Sequence, residues 1–106
     1  MSHLVYILHS ETLDKYYVGR TENIELRLQY HNDPIESRKF TARGVPWVLK
    51  CSMVCSSKEH SVRLEDFIKK LKSRSFIERI INDLDIQKEL IKKTSTWLLI
   101  SPEASG

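Results

Sequence analysis

The chain has 106 residues, 41% of them hydrophobic and 29% charged, enough for one small domain with its own core and too few for a second. Three glycines and three prolines exclude a disordered or collagen-like chain, and no apolar run approaches the ~20 residues of a membrane helix. Net charge is only +3, yet residues 38–74 hold ten basic side chains against three acidic ones, so that segment is +7 and the rest −4. Such a concentration attracts phosphate backbones or acidic partners, or serves as a solvated helix face.

The start, Met1-Ser2-His3, lacks a basic segment followed by a long apolar one, so a cytoplasmic protein is expected. Leu4 to Leu8 is a run of strand formers that is apolar on both faces, which suits a central strand. After a polar connection, Tyr16 to Gly19 reads as a second strand, and the short link makes the pair an antiparallel hairpin. Thr21 is the predicted N-cap of a helix that carries Glu22 and Glu25 near its start and ends about Asn32, before Asp33-Pro34. A basic loop follows from Arg38 to Arg43, then Gly44-Val45-Pro46 and a third strand from Trp47 to Val54.

Cys51 and Cys55 on that strand lie about 13 Å apart at ~3.3 Å per residue, beyond disulfide reach, so buried free thiols are expected. No tight Cys or His pair suggests zinc. Ser56-Ser57-Lys58-Glu59 matches a capping box, and Leu64, Phe67, Ile68 and Leu71 form the apolar stripe of the helix it opens. Ser73 to Ser75 interrupts that helix, and Phe76 to Ile81 begins another. Asn82-Asp83 caps a last one with Leu84, Leu90 and Ile91 on its apolar side. Trp97 to Ile100 reads as a strand or docking tail, and Ser101 to Gly106 as a frayed end. The predicted fold is α+β, a small three-stranded antiparallel sheet flanked by helices. The domain is expected over residues 1–81, with 82–106 a C-terminal helix and tail.

Four residues fit their patterns poorly. Ile24, Arg27, Leu28 and His31 occupy i, i+3, i+4 and i+7, so Arg27 falls on the stripe that should be apolar. Either its head snorkels to water or it meets an anionic ligand. Glu65 borders the Leu64/Ile68 stripe, as a buried acid or as an exposed partner of Lys69. Tyr6 and Tyr17 are core residues or carriers of a working hydroxyl.

In order and spacing these residues resemble the GIY-YIG nuclease family. Leu4-Val5-Tyr6 stands at the first tripeptide, with Leu4 in place of its glycine, and Tyr17-Val18-Gly19 at the second. Arg27, His31-Asn32, Phe40-Thr41, Gly44-Val45-Pro46-Trp47, Glu65 and Ile68 to Lys72 continue the likeness to the small stand-alone members, over roughly residues 3–80. The resemblance implies phosphodiester hydrolysis in DNA, of a repair or recombination type, assisted by one divalent cation, Mg²⁺ or Mn²⁺, held by Glu65. Arg27 would grip the scissile phosphate, and Tyr6 and Tyr17 would handle the attacking water, their pKa lowered by nearby cations. His31 would be a relay, and Gly19 would permit close backbone packing. Arg20, Arg38, Lys39, Arg43, Lys69, Lys70 and Lys72 would contact the backbone, and RNA offers the same phosphodiester chemistry. A monomer directed by DNA structure or by a protein partner, with no membrane, is the expectation. Competing with it are a non-catalytic nucleic-acid-binding module of the same fold and a protein-interaction domain that uses Trp97 to Ile100.

Overall fold

The computed structural model describes residues 2–33 and 40–95. Arg38, Lys39 and the Trp97 to Gly106 tail lie outside the described residues. Strands β1 (His3–Ser10), β2 (Lys15–Thr21) and β3 (Trp47–Cys55) form an antiparallel sheet in the order β2-β1-β3. β1 is central, as its two apolar faces predict, and Val5 to Leu8 are all buried. The hairpin register sets Tyr6 opposite Gly19 and Leu8 opposite Tyr17. Because side chains alternate along a strand, these four residues share one face of the sheet.

The helices are α1 (Ile24–His31), α2 (Phe40–Arg43), α3 (Lys58–Leu71), α4 (Arg74–Asn82) and α5 (Leu84–Ser95). On one face Val5, Ile7, Val18, Met53 and Cys55 pack against Leu64, Ile68, Ile80 and Leu90 from α3, α4 and α5. Each fully buried aliphatic side chain there contributes about 1.5–3 kcal/mol. On the other face Tyr6, Leu8 and Trp47 pack with Tyr17, Leu49 and the α1 residues Ile24 and Leu28. The result is the predicted α+β sheet with helices on both sides. Among the described residues no helix is long and apolar enough to cross a membrane.

Several element ends differ from the sequence reading. Thr21 still pairs with Leu4 in the sheet, so α1 begins later and Asn23 is its cap, accepting the Leu26 N–H at 3.1 Å. Glu25 is then the acid of the first turn, and Glu22 precedes the cap. The cap of α3 is Ser57, one residue beyond Ser56, the first residue of the predicted box. His60 replaces Glu59 in the reciprocal role, its Nδ1 accepting the Ser56 N–H at 3.0 Å. Lys72 takes the left-handed conformation that ends α3, and Ser73 and Asp83 cap α4 and α5. Leu71 and Leu84, expected on apolar stripes, are exposed, and both stand at helix ends. Cys55 is buried and Cys51 half-buried. Both are free thiols pushed up to about 11 by desolvation, too weakly acidic to be nucleophiles near neutral pH.

Candidate functional site

The site begins with a missing side chain. A Cβ on Gly19 would lie 2.5 Å from the Tyr6 hydroxyl oxygen and 2.9 Å from a Tyr17 ring carbon. Only glycine lets the Tyr6 ring cross β2 at this point. Tyr17 stacks 6.3 Å from Tyr6 and 4.6 Å from the His31 ring, between centroids. The Tyr6 hydroxyl and His31 Nε2 are hydrogen-bonded at 3.0 Å.

His31 reaches this position because α1 turns Ile24, Leu28 and His31 inward, and His31 is the one fully buried residue of that helix. The helix end is fixed by Asn32. Its Oδ1 accepts the Trp47 N–H at 2.5 Å, and its Nδ2 donates to the Trp47 carbonyl at 3.1 Å. Trp47 in turn stands edge-on to Tyr17 at 6.2 Å. The far end of α1 is thereby tied to the first residue of β3.

Arg27 is exposed, contrary to the expectation that it lies on the buried stripe. One residue of helix rotates a side chain by ~100°, so burying Leu28 and His31 puts Arg27 at the rim. Its guanidinium lies 5.3 Å over the Tyr30 ring. Burial holds the Tyr6 phenol well above its ordinary range, with Tyr17 and Glu65 raising it further and Arg27 opposing. The expected lowering by cations is thus reversed, because desolvation outweighs the one favourable charge. Burial, then the charge of Arg27, pushes His31 down to about 4, so its imidazole is neutral near pH 7. Its Nδ1 is buried and has no hydrogen-bond partner among the described residues.

Glu65 comes from α3, beside the free edge of β2, and its side chain is 15% exposed. Its Oε1 is 3.2 Å from Arg20 Nε, and its Oε2 accepts from Lys69 Nζ at 2.9 Å. Both earlier readings of Glu65 hold in part, since it is shielded and is also the i+4 partner of Lys69. The two cations that hold Glu65 line two different open grooves. One, of about 560 Å³, is lined by Arg20, Arg27, Tyr30 and Lys58. The other, of about 410 Å³, is lined by Lys15, Tyr17, Lys69, Lys72 and Arg74. One cation from each groove holds one oxygen of Glu65.

Of the predicted contacts, Arg20, Lys69 and Lys72 line these grooves, whereas the exposed Arg43 and Lys70 line neither. Lys15, Lys58 and Arg74 were missed. Lys15 was legible as the residue two before Tyr17 on the same strand face. Arg74 was not, because it reaches the groove only through the turn at Lys72. Tyr30, the platform for Arg27, stands at i+3 and was accessible from helix spacing.

Residues 2–79 match the family model described as the GIY-YIG catalytic domain. A UPF0213 protein of Bacillus licheniformis is 37% identical over 82 residues, covering 77% of this chain and 81% of that protein. No solved structure matches.

Proposed function

The chain belongs to the GIY-YIG family, and from that premise we propose that it is a metal-dependent endonuclease hydrolysing phosphodiester bonds in DNA, directed by DNA structure or by a partner in repair or recombination. The observation that carries this reading is the shielded carboxylate of Glu65, held by one cation from each of two grooves, with Arg27 lining the first groove and Tyr17 the second.

Glu65 is the residue that would hold the divalent cation, Mg²⁺ or Mn²⁺. Among the described residues no three His, Cys, Asp or Glu side chains form a complete cage. A hard cation that keeps most of its waters fits one carboxylate supplemented by substrate oxygens. When bound, the ion neutralises charge on the phosphate and on the leaving 3′-oxygen.

The remaining steps belong to the side chains. Arg27 presents its fork to the non-bridging oxygens, where charge develops. Tyr6 holds the attacking water and, with His31 as the Nδ1–H tautomer, donates its own proton to His31 Nε2, to which its hydroxyl is bonded at 3.0 Å. A phenol above its usual pKa does not act as a free phenolate. The water proton therefore passes to the Tyr6 oxygen as the Tyr6 proton moves to neutral His31. Burial depresses His31 most and the charge of Arg27 second, so a phosphate on Arg27 removes the lesser cause and makes the acceptor more basic when substrate is in place. Tyr17 packs against both rings and keeps them aligned.

The test is cleavage of plasmid, branched DNA and RNA with Mg²⁺, Mn²⁺ or EDTA, for the natural chain and Glu65→Gln. Metal-dependent cleavage, lower by about 10²-fold or more in Glu65→Gln while DNA binding survives, is the expected result. Salt-sensitive DNA binding without cleavage under any of these conditions replaces this reading with the binding-module one.

A further inference from the structure

Both oxygens of Glu65 are taken, by Arg20 at 3.2 Å and by Lys69 at 2.9 Å. The carboxylate is shielded, but its two partners are 40% and 51% exposed. Ion pairs of this kind near a surface are weak and exchange readily. A dication cannot join two monocations on one carboxylate without repulsion between like charges a few ångströms apart.

The two cations are not equivalent. Arg20 lies on β2, where its backbone pairs with Val5, and approaches Oε1 from the sheet. Lys69 reaches Glu65 along a flexible stem, within a groove also lined by Lys15, Lys72 and an Arg74 that is itself paired with Asp14 and Glu78. Phosphates entering that groove attract Lys69 and relieve the crowding. We propose that Arg20, Glu65 and Lys69 form a clamp that closes the carboxylate to divalent cations in the free protein, and that a polynucleotide opens it by drawing Lys69 away. The clamp rests on the nucleic-acid reading given above. Cation and DNA then bind cooperatively, and by linkage each tightens the other by the same factor.

Mn²⁺ binding to the intact protein, followed by the EPR signal of the free ion, tests this without reading activity. Lys69→Met should bind Mn²⁺ about tenfold more tightly than the natural chain, as expected for removing one charge close to a dication near the surface. Lys70→Met loses the same net charge one residue along α3 and should stay within about twofold. A short duplex with cleavage-resistant phosphorothioate linkages should tighten Mn²⁺ binding to the natural chain and do so much less for Lys69→Met, after subtraction of the signal from Glu65→Gln with the same duplex. Equal tightening in Lys69→Met and Lys70→Met, or an equal gain from the duplex with and without Lys69, overturns the clamp and leaves the nuclease reading intact. Undiminished Mn²⁺ binding in Glu65→Gln overturns the clamp together with the assignment of the metal to Glu65.

Discussion

Each face of the sheet buries one histidine, and the two are treated differently. His60, on the side of α3, α4 and α5, has every polar atom engaged. Its Nδ1 accepts from the Ser56 N–H, and its Nε2 donates to the Ile91 carbonyl at 2.9 Å beside Thr94 Oγ1 at 3.1 Å. It ties the start of α3 to the end of α5. His31, on the side of α1, bonds Tyr6, and its Nδ1 has no partner among the described residues. An unsatisfied buried polar atom costs roughly 1–3 kcal/mol, so the α1 face holds a conflict that the other face avoids. His60 is thus saturated as a packing histidine, whereas His31 keeps the spare capacity that its proposed part in proton transfer needs. Local conflict of this kind belongs to working sites.

The comparison breaks most visibly through Arg27. Arg27→Ala should lower the single-turnover cleavage rate by about 10²-fold or more with DNA binding near normal, as for a group that meets developing charge. Arg27→Lys should recover only part of it, because an ammonium lacks the fork. Weak binding with a normal saturated rate would make Arg27 a simple backbone contact. Tyr6→Phe should cost about 10² in rate and about 1 kcal/mol in stability. Leu64→Ala, on the opposite face, should do the reverse, losing about 2–5 kcal/mol in urea melts with an unchanged rate per folded molecule. If Tyr6→Phe keeps its rate, the α1 face is only a second core.

Gly19→Ala sharpens the contrast with a single methyl group. The added Cβ meets the Tyr6 ring, so Tyr6 must leave His31 or β2 must move. A loss of about 1–3 kcal/mol together with the Tyr6→Phe rate defect is expected. A fully active Gly19→Ala would show that the crossing of Tyr6 over β2 is incidental.

Acid should unsettle the two faces together. His31 in the folded chain sits at about 4, below its ordinary 6.5, so between these values the unfolded chain binds the proton and the folded chain does not. Its contribution is full above about pH 6.5 and is lost as pH falls towards 4, by at most about 3 kcal/mol. Burial lowers His60 too, so it adds a decline of the same sign. Denaturant melts at neutral pH and near pH 4.5 should show a smaller decline for His31→Gln than for the natural chain. An undiminished decline would assign the acid sensitivity to His60 and the carboxylates. The smallest effect belongs to the groove charges. Replacing Lys15 and Lys72 by Met should flatten the salt dependence of DNA binding by roughly one unit per lost phosphate contact and leave the saturated rate unchanged.

The continuous apolar run made β1 the central strand, and the apolar spacing of α3 placed Leu64 and Ile68 against the sheet, whereas the register that sets Tyr6 opposite Gly19 appeared only in the paired strands. The hairpin, the central strand and the order of elements followed from such local patterns, because which side of a strand or helix a residue occupies depends only on neighbours a few positions away. Desolvation and charge pairing do not. Tyr6 meets His31 across 25 residues of chain, and Glu65 meets Arg20 across the whole of β3. Whether Arg27 turned outward, whether the phenol rose or fell, and which cations closed on Glu65 were therefore decided only when the strands and helices packed. The energy of a buried or paired charge is set by everything that surrounds it in space, and the sequence lists only what precedes and follows it.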